Sequence, residues 1–154
     1  MAELPEIVSR GVERFGDACA IRCSDGEMSF AALEVRVSQA AEALRARGLT
    51  PGDRVALCLP RIGPAVAALL AIWRCGAIAV PLDPLHGEAR IARILEAAEP
   101  KLLITSENLA SFANAPELDF VLHSELGEET SEKTWIPPAG SHPAYLIFTS
   151  GTTG

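Results

Sequence analysis

Apolar positions along the chain alternate between helix-period and strand-like runs. Leu4–Phe15 places Leu4, Ile7, Val8, Val12 and Phe15 on one side of a short helix. In CAIRCSDGEMSF two β-compatible runs flank Asp25-Gly26, a pair that tolerates positive φ and so predicts a hairpin turn. Ser29 then suits an N-cap, since its hydroxyl can accept from a first-turn amide. Leu33, Val37, Ala40, Ala41 and Leu44 follow at helical spacing, with Gly48 as the expected left-handed residue past the helix end.

From Arg54 one unit repeats. Arg54–Leu59 is a continuous apolar run, as expected of a strand buried on both faces. Pro64 opens a nearly all-apolar helix that runs to Cys75, and Gly76 ends it. Ala77–Leu82 reads as the second strand. Glu88–Ala98 carries Ile91, Ile94, Leu95 and Ala98 at i, i+3, i+4 and i+7, and Pro100 stops that helix. Leu102–Thr105 reads as a third strand, Ser106–Ala113 as a helix and Asp119–Leu122 as a fourth strand. Strands that alternate with helices need crossover connections. The expected fold is therefore α/β, a mostly parallel sheet flanked by helices.

The segment 124–142 breaks the pattern. Glu125, Glu128, Glu129 and Glu132 precede Pro137, Pro138 and Gly140, and the stretch reads as a polar surface loop with no core of its own. The chain turns apolar again at Ala144–Phe148 and runs into Thr149–Gly154, TSGTTG. A fresh apolar strand entering such a loop calls for a partner element beyond it. Residues 1–154 are expected to be the front part of a longer protein.

Composition narrows the function classes. A length of 154 residues leaves room for one domain. Aromatics are 5% of the chain, so the core must come from Ala, Leu, Ile and Val. The 13 basic residues against 20 acidic ones give a net charge of −7, which lacks the basic footprint of a nucleic-acid partner. The longest apolar stretch, Ala65–Trp73, falls short of the ~20 residues of a membrane helix. The start, MAELPEIVSRGVERF, has no long apolar run and is not a secretory signal. A cytoplasmic protein without a membrane partner is expected. Cys58 and Cys75 sit in apolar runs and read as buried thiols, while Cys19 and Cys23 share a segment without a second pair. His86, His123 and His142 are scattered and read as surface residues, so no metal site is expected.

The suggestive chemistry lies in Thr149, Ser150, Gly151, Thr152, Thr153 and Gly154. Gly151 and Gly154 allow conformations closed to residues with a Cβ, so successive N–H groups can converge into an anion nest. The four hydroxyls of Thr149, Ser150, Thr152 and Thr153 can donate to phosphate oxygens. The loop carries no cation, so Mg²⁺ or a Lys or Arg from elsewhere must offset the charge of a triphosphate. By composition alone a polar tail fits the same residues. Neither G-x-x-x-x-G-K-[ST] nor a strand-following G-x-G-x-x-G is present, and Phe148 breaks the G-x-S-x-G pattern.

AYLIFTSGTTG resembles the phosphate-loop signature of the adenylate-forming (AMP-binding) superfamily: acyl-CoA synthetases, luciferases and nonribosomal peptide synthetase adenylation domains. LTPGDRVALCLPRIGPAVAALLAIWRCGAIAVPLDP and GEARIARILEAAEPKLLIT resemble consecutive N-terminal stretches of that family, and EMSFAALEVRVSQAAEALRARG resembles its opening hairpin and first long helix. The similarity covers nearly the whole chain and is weakest over 108–141. It implies the N-terminal part of an adenylation domain, truncated within the phosphate loop.

The resemblance also implies a two-step reaction. A carboxylate attacks the α-phosphate of ATP, releasing pyrophosphate, and the thiol of CoA or of a carrier-protein phosphopantetheine then takes the acyl group. Thr149, Ser150, Gly151, Thr152, Thr153 and Gly154 would contact the ATP phosphates, with Mg²⁺ as companion ion. The matching Gly52, Asp53, Gly76, Pro81, Asp83 and Pro84 read as folding residues. The family's loop lysine, its adenine and ribose contacts, its carboxylate pocket and its catalytic lysine fall past Gly154. No catalytic residue is expected within this chain, which alone should be inactive, and its first partner would be the remainder of its own enzyme. VPLDP leans towards peptide-synthetase adenylation domains. An acyl-CoA ligase fragment, a non-catalytic interaction module and a generic phosphate-binding α/β domain are the alternatives.

Overall fold

The computed structural model describes residues 4–109, 118–127 and 143–149. A 3-10 turn over Leu4–Glu6 leads into α1 (Ile7–Phe15). The stripe expected to be buried there is narrower than its apolar periodicity. Val8 and Gly11 are buried, whereas Leu4, Ile7 and Phe15 are exposed. The reason is Phe30, whose ring lies so close to Gly11 that a Cβ there would come within 2.4 Å of it. Phe15 stacks on the outside of the same ring, centroids 5.3 Å apart.

β1 (Cys19–Cys23) and β2 (Gly26–Ser29) form the expected antiparallel hairpin, closing at the Cys23–Gly26 pair. The turn residues are thus Ser24-Asp25, one place earlier than Asp25-Gly26. A long-range contact accompanies that register: the Asp25 carboxylate accepts from the Gly63 N–H at 3.2 and 3.3 Å. Ser29 caps α2 (Phe30–Ala46), its Oγ accepting from the Ala32 N–H at 3.1 Å. At the other end Gly48 takes φ 82°, and the N–H groups of Gly48 and Leu49 donate back to Arg45 and Leu44.

β3 (Arg54–Cys58), α3 (Gly63–Arg74), β4 (Ile78–Leu82), α4 (Glu88–Ala98), β5 (Leu102–Thr105) and β6 (Phe120–Leu122) follow in turn. The four strands form a parallel sheet in the order β4-β3-β5-β6. The β3-to-β4 and β4-to-β5 connections run in opposite directions across the sheet. Crossovers of one hand therefore put α3 and α4 on opposite faces. Side chains obey that division. Val55, Leu57, Leu102, Ile104 and Val121 face α2 and α3, while Ala56, Cys58, Val80, Leu82 and Leu103 face Ile91, Ile94 and Leu95 of α4. The expected α/β fold is observed.

Asp53 fastens the turn before β3. Asp53 Oδ2 accepts from the Thr50 N–H, the Thr50 hydroxyl and the Lys101 ammonium, each at 2.8 Å. Burial pushes this carboxyl up, but those hydrogen bonds and the Lys101 charge outweigh it and hold its pKa below 3.8. Cys58 and Cys75 are buried thiols as expected. Burial, with the charge of Asp83, raises Cys58 to about 11, and burial raises Cys75 to about 12 against the pull of Arg45 and Arg74.

Three expectations need correction or narrowing. Within Ser106–Ala113 the described part, 106–109, holds a 3-10 turn over 107–109, and the rest lies outside the described residues. The segment 124–142 opens as the end of a 3-10 helix, His123–Gly127, that buries Leu126 and pairs Glu125 with Arg47 at 2.9 Å. Its remainder, 128–142, lies outside the described residues. His86 and His123 are half-buried rather than surface groups, and His142 is outside the described residues.

Candidate functional site at the carboxyl edge of the sheet

Parallel strands bring all their carboxyl ends to one edge, where α/β folds bind ligands. The apolar run Ala144–Phe148 joins that arrangement beside β4. The Ala79 N–H donates to the Ala144 carbonyl at 3.0 Å, and the Leu146 N–H to the Ala79 carbonyl at 2.9 Å. Tyr145 then falls beside Ala79 in parallel register, and the pairing stops after this one bridge. Pro81 explains the stop. In a parallel ladder the next donor towards this segment is residue 81, whose ring leaves no N–H. The expected strand is therefore a short edge contact. It is fastened by the Trp73 indole N–H, which donates to the Ala144 carbonyl at 2.9 Å, and by Tyr145 edge-on to Trp73 at 5.0 Å.

The side chains beyond the bridge alternate as in a strand. Leu146 and Phe148 pack on the α4 side of the core, while Ile147 points outward. Thr149 is thus delivered to the carboxyl edge. Ser150, Gly151, Thr152, Thr153 and Gly154 lie outside the described residues.

An open cleft of about 550 Å³ separates this segment from α4. Phe148 and Thr149 line one side, and Gly87, Arg90, Arg93 and Ile94 line the other. Gly87 is the N-cap of α4 and supplies no side-chain cap, so the first amides of the helix meet none there. Arg90 is half-buried and Arg93 exposed. Neither joins an ion pair among the described residues, whereas Arg10, Arg22, Arg47, Arg54 and Arg74 all do. Sequence reasoning did not single out these two arginines. Their signal was the i, i+3 spacing in GEARIAR, directly after a glycine N-cap.

The same edge carries two buried polar atoms without partners among the described residues, Thr105 Oγ1 and His86 Nδ1. Asp83 shapes the chain leaving β4: its Oδ1 accepts from the Leu85 N–H at 2.9 Å and its carbonyl from the His86 N–H. Among the described residues no three His, Cys, Asp or Glu side chains converge as a metal site. Among them, too, no helix is long and apolar enough to cross a membrane.

A nonribosomal peptide synthetase of Neosartorya fischeri, anaPS, is 34% identical over 153 residues, 97% of this chain. Enterobactin synthase component F of Escherichia coli O157:H7 is 35% identical over 159 aligned positions, 99% of the chain. The chain spans only 6% and 12% of those two relatives. Among solved structures, the nonribosomal peptide synthetase FmoA3 in its α-methyl-L-serine-AMP bound form superposes with a TM-score of 0.88 at 26% identity, over 97% of this chain and 17% of that one. The family model described as AMP-binding enzyme matches residues 8–154, and the chain belongs to that family.

Proposed function

We propose that this chain is the N-terminal portion of an ATP-dependent carboxylate–AMP ligase that activates an amino or other carboxylic acid. One observation carries the reading: the family match runs through residue 154, and the structure delivers Thr149, where TSGTTG begins, to the carboxyl edge of the parallel sheet. FmoA3 holds an aminoacyl adenylate, and the relatives are peptide synthetases, which favours an amino or aryl acid over a fatty acid.

In the proposed reaction a carboxylate oxygen bonds to the α-phosphorus of ATP as the bond to the pyrophosphate oxygen breaks. Thr149, Ser150, Gly151, Thr152, Thr153 and Gly154 hold the departing phosphates through hydroxyls and backbone N–H groups. They stabilise charge where it develops, and they position the chain of phosphates for attack. A thiol, from a carrier-protein phosphopantetheine or from CoA, then displaces AMP from the acyl group. Mg²⁺ would screen the phosphates when bound; among the described residues no three His, Cys, Asp or Glu side chains converge to hold it. In this reading the chain supplies phosphate binding and scaffold, and the acid pocket belongs to the remainder of the enzyme.

The test is capture of the acyl-adenylate. The complete polypeptide that carries this segment is incubated with ATP, Mg²⁺, hydroxylamine and a panel of amino and aryl acids. Hydroxamate and pyrophosphate should appear together with particular acids. ADP and inorganic phosphate as products, or release of phosphate independent of any acid, would overturn the proposal.

A further inference from the structure

The loop TSGTTG brings no positive charge to the phosphates it is proposed to hold, in a chain of net charge −7. Yet Thr149 shares its cleft with two guanidinium side chains from α4. Arg90 and Arg93 are three residues apart, so they lie on one face of the helix. They approach the cleft together with the glycine-capped N-terminus of α4. Helix N-termini carry partial positive charge, and uncapped first-turn amides are donors aimed along the helix axis. Arginine forks match phosphate oxygens geometrically and stay charged at any working pH.

The volume of about 550 Å³ exceeds what one inorganic phosphate fills and leaves room for a pyrophosphate unit. Neither arginine is fastened to a carboxylate among the described residues, as Arg10, Arg22, Arg47, Arg54 and Arg74 are, and these two line the cleft that Thr149 enters. Glu88, in the first turn of α4, is exposed and does not line the cleft.

We infer that Arg90 and Arg93 bind the terminal phosphates of the nucleoside triphosphate, and the pyrophosphate it becomes, across the cleft from Thr149. The inference rests on the adenylating reading and adds to it the source of cationic charge within this chain. Two arginines facing the leaving group favour its retention until the acyl-adenylate has formed. An assignment to the terminal phosphates leaves the α-phosphate to other groups, so AMP should not sense these two arginines.

The experiment compares wild type with Arg90→Gln, Arg93→Gln, the double variant, Arg93→Lys and Gly151→Trp. Equilibrium dialysis against pyrophosphate, ATP and AMP is run on the complete polypeptide, and the KM for pyrophosphate in exchange is read on the same protein. Circular dichroism confirms that each variant is folded; Arg93 is exposed, so Arg93→Gln keeps the test open should Arg90→Gln fail to fold. Each Gln substitution should weaken pyrophosphate and ATP by about tenfold, with AMP unchanged and Arg93→Lys intermediate. An equal loss for AMP would overturn the assignment to terminal phosphates. Unchanged pyrophosphate binding in both Gln variants, with Gly151→Trp abolishing it, would overturn this inference and leave the loop reading standing. Unchanged binding in all variants, Gly151→Trp included, would overturn both.

Discussion

Replacing Glu34 with Ala should strip a buried guanidinium of its counter-charge. Arg74 Nη1 and Nη2 donate to the two carboxylate oxygens of Glu34 at 2.7 and 2.8 Å, and to Ser38 Oγ and Ser9 Oγ at 2.8 and 3.3 Å. The network ties α1, α2 and α3 together on one face of the sheet. The Arg74 side chain is 5% exposed, so it cannot turn to water once its partner is gone. Removing one member of a buried pair costs ~3–5 kcal/mol. Glu34 is itself 22% exposed, which places the expected loss near the lower bound, about 3 kcal/mol. With a urea slope of about 2 kcal/mol per molar, the unfolding midpoint falls by about 1.5 M. Urea titration followed by circular dichroism reads that shift. The double variant Glu34→Ala/Arg74→Met exchanges the orphaned charge for an apolar chain and should regain most of the loss. A Glu34→Ala midpoint within about 0.3 M of wild type would refute the reasoning, as would a double variant no better than the single.

Asp53 gives a pH signature. Its folded pKa is held below 3.8, so its contribution is complete above the unfolded pKa and drains away as pH falls through the folded one. Asp53→Asn should therefore be less stable than wild type at neutral pH, with the gap closing below about pH 4; a gap independent of pH would contradict this. Cys58 and Cys75, at about 11 and about 12 and buried, should resist iodoacetamide in the folded chain while exposed Cys19 reacts, read by mass spectrometry of peptides. Modification of Cys75 without unfolding would be inconsistent with the core described. Pro81→Ala restores an N–H facing the Leu146 carbonyl, so amide exchange across 146–148 should slow as the ladder extends; unchanged exchange would show that Pro81 does not end the pairing.

Much of this architecture is legible locally. Caps at Ser29 and Gly48, apolar runs at Arg54–Cys58 and Leu102–Thr105, and the i, i+3, i+4 face of Glu88–Ala98 depend on near neighbours in sequence. The misses share a different cause. The hairpin turn shifts by one place where Asp25 reaches Gly63, and α1 turns its glycine inward because Phe30 fills the space. Leu126 is one apolar residue among acidic neighbours, and its burial depends on α2 passing above it. Likewise the short pairing at Tyr145 follows from Pro81 only once β4 is known to be its neighbour. Of the candidate site, the TSGTTG segment stands out by resemblance, since by composition alone a polar tail fits it equally. Arg90 and Arg93 do not, because nothing in the sequence sets α4 against Phe148 and Thr149.

ATP–pyrophosphate exchange by the complete polypeptide, with its preferred acid and with or without Gly151→Trp, is the most direct trial of the central claim. Acid-dependent exchange in the wild type, abolished when an indole replaces the Gly151 hydrogen within TSGTTG, is the predicted result. Exchange that persists in Gly151→Trp at the wild-type rate, or a folded wild type that exchanges with no amino, aryl or fatty acid, would contradict it.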